Sequence, residues 1–254
     1  MILDQFRLDG RVALVTGAGR GLGQGYAMAL AEAGADVALL DRSGAAETVA
    51  AVRAMGRRAL DLTCDLSTAT PVDLAGVVDQ VVAGLGRLDV LVNNAGIIRR
   101  GPAADFSAAD WDEVIQINQS AVFFLSQAAG RVMIAQGGGK IINVASMLSF
   151  QGGITVPSYT ASKHAVVGLT KALANEWAVS NVNVNAIAPG YMATDNTAPL
   201  RADADRSAAI LGRIPAARWG TPDDLMGAVV FLASDASRYV HGAVLAVDGG
   251  WLTR

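Results

Sequence analysis

The chain has 254 residues, a net charge of -3 at pH 7, 52% hydrophobic residues and 17% charged residues. So much apolar material with so few charges excludes a disordered chain, and slight acidity without a basic stripe excludes a nucleic-acid-binding surface. The length suits one α/β domain around a single core, with no linker.

The opening MILDQFRLDGR carries acids where a secretion signal needs basic residues and then an apolar stretch. No apolar run elsewhere approaches about 18 residues, so a soluble, cytoplasmic protein is expected. The first strand-like run is VALVTG (12–17), followed by TGAGRGLGQG (16–25), with glycines at 17, 19, 21 and 23 ahead of a helical segment at 21–33. Such a turn lets backbone N–H groups and a helix N-terminus approach a pyrophosphate, which makes Gly17, Gly19, Arg20, Gly21 and Leu22 cofactor candidates. DVALLD (36–41) is the second strand and ends on Asp41, near the offset at which a carboxylate binds a ribose 2′-hydroxyl. An acid there repels a 2′-phosphate and favours NAD(H) over NADP(H). Arg20 and Arg42 pull the other way, as partners for such a phosphate, but the acid at the strand tip outweighs two arginines of unknown direction.

ALDLTCD (59–65) is the third strand, and its Cys64, the only cysteine, reads as a buried structural thiol. A helix over 71–85 stops at Gly86, and Gly34 and Gly56 occupy similar stop positions. DVLVNNAG (89–96), a helix over 110–136, a GGGK turn (137–140), KIINVAS (140–146), a helix over 157–179 and NVNAIAPG (183–190) follow. The stretch 191–221, with Pro199 and Pro215, is less regular and is expected to be a mobile substrate lid. Thr221 as N-cap and Pro222 as first residue open a helix over 222–234, and AVLAVDGG (243–250) completes a sheet edge, with Trp251 expected in a subunit interface. Seven strands alternating with helices predict a doubly wound parallel sheet with helices on both faces.

PSYTASKHA (157–165) places Tyr159 one helical turn before Lys163, so a phenol and an ammonium group share a helix face. As a surface pair they would contribute only about 0.2–0.5 kcal/mol. Their setting points to chemistry instead. Thr16, Gly17, Gly21 and Gly23 meet the pattern T-G-x-x-x-G-x-G, residues 93–96 read N-N-A-G, Tyr159 and Lys163 meet Y-x-x-x-K, and Ser146, Asn118 and Pro189-Gly190 with Thr194 stand in matching order. In these motifs the chain resembles the short-chain dehydrogenase/reductase family over essentially its whole length.

That resemblance implies a Rossmann-type fold and nicotinamide-dependent interconversion of an alcohol and a carbonyl. It assigns Tyr159 as acid/base, Ser146 to the substrate oxygen, Lys163 to the nicotinamide ribose and Asn118 to a water linking Lys163 with solvent. Asp65, Leu66, Asn93, Ala95 and Gly96 are expected on the adenine and ribose side, and Pro189, Gly190, Met192 and Thr194 near the nicotinamide. A free phenol titrates near 10, and the Lys163 charge with that of an oxidised nicotinamide is expected to lower this value. The family is commonly tetrameric, which implies a homotetramer. His164 and His241 read as structural, and no metal is expected.

Three stretches flank the expected site: GIIRRG (96–101), SMLSFQGG (146–153) and PGYMATDNTAPLRAD (189–203). Arg99 or Arg100 could grip a carboxylate in a two-pronged contact, or both are solvated. Gln151 and Tyr191 add polar groups for hydroxyls, joining Ser146 and Tyr159 in the substrate set. Together with NEWA (175–178) and RIPAARWG (213–220), these stretches resemble the 2-deoxy-D-gluconate 3-dehydrogenases, also described as 2-dehydro-3-deoxy-D-gluconate 5-dehydrogenases. The resemblance implies NAD-linked reduction of a keto-deoxy sugar acid, such as 3-deoxy-D-glycero-2,5-hexodiulosonate, in the breakdown of pectin-derived uronates. The alternatives are a reductase of alginate-derived unsaturated uronate, another sugar-acid or polyol dehydrogenase, and a non-catalytic NAD-binding regulator.

Overall fold

In a computed structural model describing residues 1–254, the seven expected strands form one all-parallel sheet. They are β1 Val12–Thr16, β2 Asp36–Asp41, β3 Ala59–Thr63, β4 Val90–Asn93, β5 Gly139–Val144, β6 Val182–Pro189 and β7 Val244–Val247, in the order β3-β2-β1-β4-β5-β6-β7. Parallel neighbours need crossovers, and here helices supply them on both faces. The central strands are therefore apolar on both sides rather than alternating, and β1 and β4 are buried at every position.

The helices are α1 Gly21–Glu32, α2 Ala46–Ala54, α3 Pro71–Leu85, α4 Ala108–Ile115, α5 Ala121–Gln136, α6 Pro157–Trp177, α7 Ala198–Ala202, α8 Ala204–Arg213 and α9 Asp223–Ala233. Successive residues of a strand point to opposite faces, so Leu14, Leu91 and Ile141 enter one core layer with Leu74, Val78 and Leu125 of α3 and α5. Their neighbours Val15, Val92 and Ile142 enter the other with Tyr26 and Leu30 of α1 and Val229 of α9.

Several local expectations change. Helix α2 ends just before the stop position expected at Gly56, but its start at Ala46 is not legible in sequence because no side chain caps it. The single helix expected over 110–136 begins earlier, where the Ser107 hydroxyl accepts from the Asp110 N–H, and a π-helical turn, Gln116–Ser120, divides it. Pro222 is the cap residue of α9 rather than its first residue, and Thr221 donates to the Asp224 carboxylate. The stretch 191–221 is largely helical, with Asp203 capping α8 through the Arg206 N–H. Cys64 is only partly buried and lines the main cleft, so it is not the core thiol expected. Trp251 is buried against its own chain, by Met147, Ile210 and Ile214, instead of waiting for a partner. No helix is long and apolar enough to cross a membrane.

Two glycines in helix interiors separate propensity from packing. An added methyl at Gly76 in α3 meets nothing within 4 Å, whereas at Gly130 in α5 it would lie 2.8 Å from the Trp177 ring. Alanine gains about 1 kcal/mol over glycine in a helix, while overpacking a core costs about 1–3 kcal/mol. Gly76→Ala is expected to raise the urea midpoint and Gly130→Ala to lower it; two shifts of the same sign would contradict this account.

Candidate active site

The C-terminal ends of β1 to β6 open into one cleft of about 380 Å³. Gly17, Gly21, Leu22 and Gly23 from the turn after β1 line it, with Asp41 and Arg42 after β2 and Cys64, Asp65 and Leu66 after β3. Asn94, Ala95 and Gly96 after β4, Ser146 after β5, Tyr159 and Lys163 on α6, and Pro189, Gly190, Met192 and Thr194 after β6 complete the wall. Most of the expected cofactor positions therefore face one space.

The turn after β1 suits a phosphate. Gly17 and Gly21 take φ of 64° and 59°, conformations that side chains resist. A methyl on Gly23 would lie 2.0 Å from the Gly17 carbonyl oxygen, so only glycine allows α1 to start this close to the strand. At the mouth of α1 no side chain caps the helix and no acid stands in its first turn. Its free N–H groups and positive dipole end thus point toward an anion. Across β1, the Thr16 hydroxyl accepts from the N–H groups of Asn94 and Ala95 at 3.0 and 2.9 Å and ties the two strand ends together.

Two expected cofactor positions lie elsewhere. Asn93 is buried inside the sheet, where its amide donates at 2.9 Å to Ser126 and at 2.9 Å to Asn143, and Asn94 faces the cleft in its place. The strand pleat turns neighbouring side chains to opposite sides, and the register could not be read from N-N-A-G alone. Gly19 stands behind the wall and gives its N–H to the Asp41 carboxylate at 3.0 Å. The other Asp41 oxygen accepts from the N–H and hydroxyl of Ser43. At Asp65 the carboxylate accepts from the Ser67 hydroxyl and N–H, which with nearby Arg42 holds it below the usual carboxylate range.

At the chemical end, Ser146 follows β5 and its hydroxyl oxygen accepts from the Leu148 N–H at 3.1 Å. Tyr159 is half-buried, and burial pushes its phenol up, partly offset by a hydrogen bond with Ser146 and by the charge of Arg100. The expected lowering by Lys163 is thus not what the protein alone produces, because loss of water outweighs the Ser146 hydrogen bond and the Arg100 charge. Lys163 is buried, donates to the Val144 carbonyl at 2.6 Å and lies 5.6 Å from the Tyr159 ring centre. Burial lowers its pKa to about 8.

Asn118 sits in the π-helical turn and does not line the cleft. Its amide donates to the Ile97 carbonyl at 2.9 Å and to the Ser162 hydroxyl at 3.3 Å, and its oxygen accepts from the Ile97 N–H. The widened turn thus lets Asn118 clamp the loop after β4 to α6 beside Lys163.

Of the substrate candidates, Arg99 turns away: it forms a two-pronged contact with Glu113, 2.7 and 2.9 Å, and a longer one with Asp110. Arg100 is exposed, close enough to act on Tyr159, and its one hydrogen bond is a long one, 3.4 Å, to the Asn196 carbonyl. Gln151 accepts from Arg213, and Tyr191 packs edge-on against Trp219 and Trp251 beside a separate cavity of about 140 Å³. Both stand outside the main cleft. The turn Asp195–Thr197 does line it; it lies in the 189–203 stretch expected to flank the site, though none of its residues is assigned a role from sequence.

Lys163 also gives a pH dependence. Its folded pKa near 8 lies below the ordinary lysine value of 10.5, so between them the unfolded chain binds the extra proton and stability rises with pH. The slope from this one group reaches at most about 1.4 kcal/mol per pH unit. Lys163→Met is expected to flatten the rise in thermal midpoint between pH 8 and 10; an unchanged difference across that window would rule the titration out.

Comparison with known proteins sharpens this picture. The family model described as enoyl-(acyl carrier protein) reductase matches residues 17–252. The chain is 60% identical to 2-dehydro-3-deoxy-D-gluconate 5-dehydrogenase of Escherichia coli, over 100% of both chains. A structure from Agrobacterium tumefaciens, described as a candidate 2-deoxy-D-gluconate 3-dehydrogenase with bound NADP, is 54% identical with a TM-score of 0.92, covering 98% of this chain and 99% of its own. A gluconate 5-dehydrogenase from Burkholderia cenocepacia in complex with NADP and tartrate is 42% identical with a TM-score of 0.94, over 100% of both. NADP in both structures overturns the preference for NAD expected from Asp41. The expectation sets the acid at the strand tip above the arginines, yet Arg42 lines the cleft next to Asp41 and brings positive charge to the same place. With its seven-stranded parallel sheet, its glycine-rich turn and relatives of this similarity, the chain belongs to the short-chain dehydrogenase/reductase family.

Proposed function

We propose that the protein interconverts a secondary alcohol and a ketone on a keto-deoxy sugar acid, using NADP(H). The observation that carries this reading is the meeting of Ser146, Tyr159 and Lys163 in the dinucleotide-sized cleft, with the charge of Arg100 acting on Tyr159. The similarity to 2-dehydro-3-deoxy-D-gluconate 5-dehydrogenases supports the substrate class.

When bound, the dinucleotide supplies or takes the hydride. The protein's share is orientation and proton transfer. With its oxygen already accepting from Leu148, the Ser146 hydroxyl keeps its proton to donate to the substrate oxygen. Tyr159 gives its proton to that oxygen as the carbonyl is reduced and recovers it in the reverse direction. A phenol kept high by burial is protonated at neutral pH, which suits the reductive direction. Lys163 spends one N–H on Val144, leaving its other donors for the ribose hydroxyls. Asn118 holds the loop after β4 and α6 in register and offers the widened turn beside Lys163 for a water.

For the cofactor, Arg20 and Arg42 line the cleft and supply positive charge for a 2′-phosphate. Asp65 and Leu66 border the adenine end, and Pro189, Gly190, Met192 and Thr194 the nicotinamide end. Arg100 is the carboxylate partner in this reading, and the lid spans 191–221. A homotetramer in a reducing, cytoplasmic setting fits the family habit and the unpaired Cys64.

Tyr159→Phe is expected to lower kcat by a factor of about 100 or more while NADPH affinity stays within a few fold. Retained turnover would remove Tyr159 from the acid/base role. Arg100→Ala is expected to raise KM for a keto sugar acid about tenfold or more, with a smaller effect on an uncharged ketone of similar shape. Arg99→Ala should change neither, and equal effects of the two substitutions would exclude Arg100 as the clamp.

A further inference from the structure

Arg20 has an acidic partner within the cleft. Its guanidinium lies 3.2 Å from the carboxylate of Asp195, the first residue of the Asp195–Thr197 turn after β6. Both residues line the cleft, one from the glycine-rich turn and one from the lid side, so the pair spans the path of a bound dinucleotide. The two side chains are 83% and 77% exposed, which makes the attraction weak and sensitive to salt. A phosphate dianion, with more charge and more acceptor oxygens, outcompetes a single carboxylate for a guanidinium. The competition is still a cost, and it falls only on a dinucleotide that has a 2′-phosphate.

We infer that Asp195 is a specificity-determining residue: by holding Arg20 across the cleft, it weakens binding of the 2′-phosphate of NADP(H) without a matching effect on NAD(H). This rests on the reading of Arg20 as a phosphate partner. The same turn touches Arg100 through the Asn196 carbonyl, a backbone contact that Asp195→Asn leaves in place.

The test is a fluorescence titration of NADPH and NADH against the full chain, Asp195→Asn, Arg20→Ala and the double variant. Asp195→Asn is expected to tighten NADPH about two- to fivefold, with a smaller change for NADH and a gain that shrinks as salt is added. Arg20→Ala should narrow the gap between the two cofactors, and in that background Asp195→Asn should no longer move the ratio. The last arm separates action through Arg20 from the general effect of removing a negative charge, which would persist. If Arg20→Ala narrows the gap but Asp195→Asn leaves it unchanged, or shifts both cofactors alike, the role of Asp195 fails while the phosphate reading stands. If Arg20→Ala leaves the gap unchanged, both fail together.

Discussion

The reversal of strand order at β1 is the constraint from which the rest of the site follows. Because β1 pairs with β2 on one side and β4 on the other, the chain leaves β1 toward one half of the sheet and later returns to build the other half. Turns that leave neighbouring strands in opposite directions cannot cover the gap between them, and a crevice opens at the strand ends. The glycine-rich turn and the N-N-A-G end face each other across it. Thr16, one residue before the turn, holds the two together through its hydroxyl.

Depth in this crevice is bought with buried polar groups. Asn93, Ser126, Asn143 and Thr170 form a hydrogen-bonded row beneath the site, leaving the Asn93 oxygen without a partner. Such a row has value when nearly satisfied, because it fixes the register of β4, β5 and the helices packed on them. Lys163 is set above it, its ammonium held by a single backbone carbonyl and no carboxylate. A lysine in that position gives up its proton more readily than a surface lysine, and its neighbour Tyr159 holds its proton more firmly. Burial thus separates the two groups in proton affinity and reverses their ordinary order, since the ammonium gives up its proton before the phenol does.

Arginine placement divides the labour around the cleft. Arg99 and Arg218 are committed to carboxylates of their own chain and serve the fold. Arg100 has a single weak partner, the Asn196 carbonyl. Arg20 is held across the cleft and Arg42 lines its wall next to Asp41. Adjacent positions in sequence therefore differ, since Arg99 pairs with Glu113 of α4 while Arg100 pairs with no carboxylate.

The strand and helix alternation, the glycine-rich turn and the spacing of Ser146, Tyr159 and Lys163 were all legible in the chain, because they depend on periodicities and steric limits that act over a few residues. The direction of Arg99, the burial of Asn93, the engagement of Asp41 and the π-helical turn around Asn118 were not, because each is set by a partner far along the chain. Glu113 takes Arg99, Ser126 and Asn143 take Asn93, Gly19 takes Asp41, and Ile97 with Ser162 takes Asn118. Sequence alone determined the architecture and which residue types would meet at the strand ends. Tertiary structure decided which of them remain free to bind a ligand, since a side chain's availability depends on every other group that folding brings within hydrogen-bond reach.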